Sequence, residues 1–501
     1  MSLGNTQQPQ DENTPLLGQA LGHRCSDPTI CKASVWREAK EMIPLAIPVS
    51  VGYLLQMSLN MAAVIALGRL GTNALASMAL ATLYANVTGY SLVVGMGAAI
   101  DTLCSQAYGE YLAGVGDKKE LGRHLSRTIF AMYVTCIPVA ILWWFTEPLL
   151  LLAGQDPAVA RLSGHYTLLL APSLIPFVIS ECVKRFLMAQ GIMSAQMFVM
   201  AIVTPINCLL QYIFVFTDLR IGNEGAGAPF ALTISHSLIA ISLVLYAFYV
   251  EGGDAYGGWE WDQVLNTKKL WTVLSLGTSG VLMTCTEWWA WDIIALAAGH
   301  LGPEYLAAQT IVLSATSWAY TMPLGVAIAC TTRIGNALGA GKPEQAKLSS
   351  FVVLGIGLFL ATINSTCLML GRKSLGHIFT DEQVVIDVVD QIVPLAAVFQ
   401  LADVLGCICG GILRGAGRPE IGAYLNLIGY YVVGIPFGIL LCFNVGWGMY
   451  GLWIGLTTAL FVVSLIEIYV IYLLDWDREA ENAHCRSLEG LDDHERCESS
   501  N

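Results

Sequence analysis

Long apolar runs separated by short polar stretches dominate this chain, and they predict helices rather than strands. Read against the polar punctuation, they give twelve spans near 42–67, 73–107, 127–152, 165–188, 192–216, 226–250, 270–298, 304–332, 349–371, 384–413, 420–443 and 447–474. Several exceed the roughly 20 residues that cross a bilayer, so tilt or protrusion is expected. Prolines fall inside many of them (Pro44, Pro48, Pro172, Pro176, Pro205, Pro323, Pro394 and Pro436). Such prolines are tolerated in spans where neighbouring helices or water meet the freed backbone groups. They fit a bundle around an aqueous cavity, or simply kinked structural helices. The expected fold class is an all-α membrane protein.

Orientation follows from the basic residues. With the N-terminus inside, all but Arg69, Arg161, Arg220, Arg372 and Lys373 of the 25 Lys and Arg residues collect on the cytosolic side. That asymmetry is the positive-inside pattern, and it predicts that both tails are cytosolic.

One pattern appears twice, about 230 residues apart. Gly68-Arg-Leu-Gly-Thr-Asn-Ala-Leu-Ala76 returns as Gly299-His-Leu-Gly-Pro-Glu-Tyr-Leu-Ala307, and the run Ser91 to Gly109 returns as Thr321 to Gly339 with a one-residue slip. The copies begin at the ends of helices 1 and 7. Six helices is an even number, so the halves share an orientation and form parallel repeats. An internal duplication in a membrane chain points to a transporter, with the substrate path between the halves. The chain divides into a disordered N-terminal tail (1–35), a first lobe (36–250), a linker (251–266), a second lobe (267–475) and a C-terminal tail (476–501). The linker carries four acids and Gly252, Gly253, Gly257 and Gly258 between Glu251 and Asp262.

Composition agrees. The 501 residues are 55% hydrophobic and only 13% charged, with a mean hydropathy of +0.60, whereas soluble proteins carry about 25% charged residues. No apolar segment with a cleavage site opens the chain, so no removed signal peptide is expected. The net charge of −13 resides largely in acid-rich tails, and no basic–aromatic interleaving suggests nucleic acid. The fourteen cysteines are scattered and read as small buried hydrophobes rather than a disulfide framework or metal site.

Ionisable groups deep in a span carry the sharpest chemistry, since each costs about 2.5–3.5 kcal/mol on insertion scales unless paired or wetted. Glu287 lies about three residues past the midpoint of helix 7, roughly 4–5 Å from its centre. Asp403 lies about four residues past the midpoint of helix 10. Desolvation disfavours the charged form of any carboxylate, the property that lets such a group take up a proton and return it when wetted. A structural acid satisfied by a hydroxyl or backbone donor is the alternative. Trp291, four residues beyond Glu287, shares its face, and Trp288 lies beside it. An aromatic next to a carboxylate suits an organic cation, and an interfacial tryptophan belt is the competing reading. Asp292 is about 140° round the helix from Glu287 and is a gating or packing candidate. In the first half, Asp101 and Arg333 occupy nearly equivalent places in helices 2 and 8. They are candidates for an ion pair or gate latch between the halves, or for separate solvation. Gln56, Asn60, Asn86 and Asn207 supply polar groups in the first lobe, as ligands or as glue between helices.

Taken together, these residues resemble the multidrug and toxic compound extrusion family of eukaryotic, fungal or animal-like type, over roughly residues 36 to 475. The resemblance rests on Gly97 to Gly109, Glu287-Trp-Trp, Arg333-Ile-Gly-Asn-Ala-Leu-Gly339, Gly410-Gly-Ile-Leu-Arg-Gly-Ala-Gly417 and Gly422-Ala-Tyr-Leu-Asn-Leu-Ile-Gly-Tyr-Tyr431. It implies a twelve-helix, two-lobe, V-shaped antiporter, monomeric and not an enzyme, that exports organic cations and other amphipathic compounds in exchange for protons, or for sodium in some bacterial members. The family's second-lobe acids map onto Glu287 and Asp403, with Trp288, Trp291, Gln56 and Tyr430 as further candidates for contact with substrate. The helix 1 aspartate of many bacterial members falls near Ala62 or Ala63, which argues against the bacterial first-lobe sodium or proton site. A helix 8 glutamate of animal members falls at Ser314. No cofactor is implied beyond the coupling ion, and the partners implied are small organic substrates and membrane lipids.

The nearest rival is a lipid-linked precursor flippase of similar architecture, which would want a cationic cavity for phosphate. An integral-membrane enzyme would need clustered reactive groups, and the eight histidines are dispersed. In the N-terminal tail, Glu12, Leu16 and Leu17 resemble an acidic dileucine signal of the kind adaptor complexes read. They suggest a vacuolar or lysosomal membrane, with the plasma membrane as the alternative.

Overall fold

The computed structural model describes residues 28–68, 70, 72–217 and 225–488, and the regular structure among them is entirely helical. Twelve long helices follow one another: α1 (Pro28–Gly68), α2 (Ala76–Leu112), α3 (Glu120–Trp144), α4 (Pro157–Ala189), α5 (Ser194–Phe216), α6 (Gly227–Tyr249), α7 (Thr267–Leu301), α8 (Pro303–Gly339), α9 (Pro343–Phe379), α10 (Gln383–Gly415), α11 (Pro419–Asn444) and α12 (Met449–Leu473). A shorter helix, α13 (Trp476–Leu488), follows. Eleven of the twelve long helices are apolar enough to cross a membrane. The exception is α7, where Glu287, Asp292 and four tryptophans dilute the apolar run.

Local chemistry sets the breaks. Pro172 cannot donate a backbone hydrogen bond, and at that point α4 tightens into a 3₁₀ turn over Ala171–Ser173. Asn266 caps α7 by accepting from the Lys269 amide at 3.2 Å, the usual answer to unpaired amides at a helix start. The α4–α5 and α10–α11 turns both pass through a left-handed glycine, Gly191 (φ 81°) and Gly417 (φ 74°), a conformation that costs glycine nothing. These turns occupy corresponding places in the two repeats. Segments of π-helix interrupt α2 at Asn86–Tyr90 and α11 at Leu427–Gly434 and Leu440–Asn444. Such wide turns often mark functional positions in a helix.

The repeat is visible in the packing. α1 packs on α5 as α7 packs on α11, and α1 meets α8 across the lobes as α7 meets α2. The lobes also interleave at the face where the described chain begins and ends, called here the near face. Met42 and Ala46 of α1 belong to the apolar core of the second lobe, and Val273 and Leu276 of α7 to that of the first. Two differences from the sequence reading lie at the ends. α1 starts at Pro28, and the polar segment after 475, read from the sequence as a tail, forms α13 through Leu488. α13 keeps Trp476 and Ala483 buried against the second lobe, so a short apolar stripe suffices where a surface awaits it.

Candidate functional site

Two regions concentrate the polar chemistry of the bundle. The first is inside the second lobe. Glu287 of α7 is half-buried, and Asp403 of α10 is buried at 8% exposure. The two carboxylates lie within electrostatic reach of each other. Tyr430 of α11 and Tyr320 of α8 lie within reach of both. Asp403 Oδ2 accepts from Gln400 Nε2 at 3.0 Å, one turn earlier on α10, while Gln400 Oε1 is buried without a partner among the described residues. The nearest cation is Arg414, but among the described residues neither acid has a basic side chain within 4.0 Å. Paired acids without a fixed countercharge leave room for a mobile one.

Trp291, one turn from Glu287, packs edge-on against Phe399 and Trp453 with ring centroids 5.2 and 5.8 Å away, and those two rings are 5.5 Å apart. Such edge-to-face contacts are worth about 0.5–1.5 kcal/mol beyond burial. The Trp453 indole donates to Gln309 Oε1 at 2.8 Å. This aromatic wall holds α7, α8, α10 and α12 in register behind the acids. Trp288 is exposed. Its neighbour Trp289 donates across the lobes to Val87 O at 3.1 Å, on the π-helical turn of α2. Asp292 lies beside Tyr431 of α11, apart from the Glu287 group. Gln56 is tied to Gln196 of α5 at 3.1 Å within the first lobe.

The second region seals the near face. Arg333 of α8 forms a two-pronged pair with Glu38 of α1, both contacts at 2.7 Å, and reaches Glu41 at 2.9 Å. Ser349 of α9 adds a bond to Glu38 at 2.6 Å. Asp101 pairs instead with Arg185 of α4, inside its own lobe. The candidate Asp101–Arg333 latch is therefore replaced by two separate pairs, of which Arg333–Glu38 joins the lobes. Thr102 and Gln106 of α2 donate to Arg414 O (2.6 Å) and Gly415 O (3.4 Å). α13 braces this junction from below, with Arg486 Nε on Gln106 Oε1 (3.2 Å) and Glu479 on Arg418 (2.9 Å). The linker is held at its start by Lys118 on Asp254 at 2.6 Å. That hydrogen bond holds the Asp254 carboxyl below the ordinary aspartate range.

The α2–α8 crossing depends on glycine. Gly109 faces the Asn336 carbonyl and Gly339 faces the Gln106 carbonyl so closely that a Cβ on either would overlap the opposing backbone. Interlobe hydrogen bonds reach from this layer up to Ser50–Met322 and Val87–Trp289 near mid-height. Towards the opposite, far face, Met61, Trp318 and Met322 are exposed.

Sequence reasoning passed over four residues of these regions: Tyr320, Trp289, Gln400 and Glu467. Glu467 leaves a readable signal, a lone acid in an otherwise uncharged helix. Glu12, Leu16 and Leu17 lie outside the described residues.

A family model described as MatE matches residues 48–213 and 280–440. The chain belongs to the MATE family. Its members are transporters, not enzymes, so this is a multi-pass integral membrane transporter. Among its relatives is a zebrafish (Danio rerio) protein named Multidrug and toxin extrusion protein 1, 36% identical over 90% of this chain and 75% of that protein. Another is Protein DETOXIFICATION 17 of Arabidopsis thaliana, 33% identical over 90% of this chain and 93% of the relative. The crystal structure of the eukaryotic MATE transporter AtDTX14 superposes with a TM-score of 0.82 at 30% identity, covering 90% of this chain and 99% of that one. The MATE fold of twelve helices in two lobes is thus the fold of this chain.

Proposed function

We propose that this MATE transporter expels organic cations from the cytosol in exchange for protons, and that Glu287 and Asp403 carry both ligands in turn. One observation carries the reading: two carboxylates on α7 and α10 come within electrostatic reach inside the second lobe, with no basic side chain within 4.0 Å among the described residues. Such a pair binds a cation when charged and releases it when protonated. Trp291 and Tyr430 supply aromatic and hydroxyl surface for an organic cation. The near face is the cytosolic one, from the excess of Lys and Arg there. In the state described the lobes are joined at the near face, and the reading has protons load and substrate leave on the far side. The names of the zebrafish and Arabidopsis relatives, which speak of toxin extrusion and detoxification, agree with this direction.

The test is uptake of a fluorescent organic cation into proteoliposomes under an imposed pH gradient. The proposal expects gradient-driven uptake by the wild type and its loss in both Glu287→Gln and Asp403→Asn. Uptake that follows a sodium gradient instead, or that survives both substitutions, refutes it.

A further inference from the structure

α12 carries a single charged residue among its 25, Glu467. The side chain is buried at 1% exposure, and its Oε2 has no hydrogen-bond partner among the described residues. Two sets of contacts fix its height. Ser464, one turn farther from the near face, donates to Ala402 O at 2.9 Å, beside Asp403. Glu467 Oε1 borders Gly422 of α11, as does the Met283 thioether, and Met283 sits one turn below Glu287 on the same face of α7. Both lines place Glu467 about one helical turn, roughly 5–6 Å, nearer the cytosolic face than Glu287 and Asp403.

Arg414 follows on the cytosolic side, with Nη1 4.0 Å from Met283 Sδ. The titratable and charged groups facing Glu467 are Arg414 and Cys409 from α10, Glu287 from α7 and Tyr430 from α11. Among the described residues no donor uses its second oxygen, and an apolar side chain in such a place usually packs at least as well. A carboxylate at this depth is therefore more readily explained by what it carries than by what it holds together.

We infer that Glu467 is the exit station for the coupled proton, standing between the Glu287–Asp403 pair and the cytosol, with Arg414 as the fixed cation beside it. The inference rests on the proton-antiport reading above. When the near face opens, the carboxylic acid of Glu287 passes its proton through intervening water to the Glu467 carboxylate. Glu287 becomes a carboxylate and is free to hold the incoming cation, and Glu467 becomes the acid. Glu467 then gives that proton to cytosolic water and returns to carboxylate. One proton moves from Glu287 to bulk water, and no other bond changes. In the closed state Met283 fills the layer between Gly410, Gly422 and Arg414, and the path is shut.

The experiment compares two activities of each variant in proteoliposomes: pH-gradient-driven uptake of a fluorescent organic cation, and cation-for-cation exchange at equal pH, which moves no net proton. For Glu467→Gln the inference expects gradient-driven uptake at least tenfold below wild type, with exchange within about twofold. Glu287→Gln is expected to lose both. Glu467→Asp, which keeps a titratable group, should recover driven uptake with a displaced pH profile. Full driven uptake in Glu467→Gln overturns the inference. So does loss of exchange together with driven uptake in both Glu467 variants, since that marks a structural residue. A wild type that ignores the pH gradient but exchanges cation overturns the antiport reading itself, and the exit station with it.

Discussion

The α2–α8 crossing makes a quantitative prediction about the transport cycle. Gly339 ends α8 with its Cα against the Gln106 carbonyl, and Gly109 repeats the arrangement against Asn336. A methyl group at Gly339 must push these backbones apart. Overpacking of this kind costs about 1–3 kcal/mol, and the cost falls only on the state in which the near face is closed. With the lobes separated there, the same change is neutral or favourable, because alanine is the better helix former by about 1 kcal/mol. Gly339→Ala should therefore move the closed-to-open ratio of the near face by about 5- to 150-fold, at 1.4 kcal/mol per factor of ten. The assay is a pulsed electron-spin distance measurement between labels at Leu112 and Lys342. Both are exposed, and they sit at the near ends of α2 and the α8–α9 turn. Labelling requires serine at the exposed cysteines Cys208, Cys367 and Cys485, and at Cys25, Cys31 and Cys497 near the two ends of the sequence. The expected result is growth of the long-distance population in Gly339→Ala, without a fall in melting temperature. An unchanged or smaller long-distance population would show that this crossing does not govern opening.

Other consequences can be checked separately. Trp453→Ala removes a fully buried ring from the wall behind the acids and strands Gln309 Oε1. It should cost about 3–5 kcal/mol, read as a lowered melting temperature in detergent. Truncation after Leu474 removes α13 with its Arg486–Gln106 and Glu479–Arg418 bonds, and should raise the open population in the same distance assay. If one proton is exchanged per monovalent cation, accumulation should reach about tenfold per pH unit and ignore voltage. Two protons would give about a hundredfold, with about 2.3 kcal/mol more for each 100 mV. Replacing Glu12, Leu16 and Leu17 with alanine should move a fluorescently tagged protein from an internal acidic membrane to the cell surface; an unchanged location refutes the sorting reading.

Much of the fold was legible because its signals are periodic and local. Apolar runs mark helices wherever they are long, and the duplicated Gly-rich segments turned out to face each other across the near-face junction. Glu287 and Asp403 stood out because a carboxylate in an apolar run is conspicuous whatever its partner. Pairings were less legible. Nothing local says that Asp101 belongs to Arg185 or Arg333 to Glu38, since each partner lies on another helix chosen by packing. Glu467 was not among the sequence candidates, and it lies well past the middle of α12, towards the near face. The helix is submerged there by α7, α10 and α11, which a one-dimensional reading cannot weigh. α13 escaped for a related reason: its stripe of Trp476, Ala480 and Ala483 is too thin to hold a helix alone and becomes sufficient only against the second lobe.

The central claim is that protons and organic cation compete for one pair of carboxylates. The most direct test is the affinity of purified protein for a lipophilic organic cation, measured calorimetrically across pH. Competition predicts that affinity rises with pH, by up to tenfold per unit for each proton displaced, and that the dependence disappears when Glu287→Gln and Asp403→Asn are combined. An affinity indifferent to pH in the wild type, or a pH dependence that survives the double substitution, would contradict it.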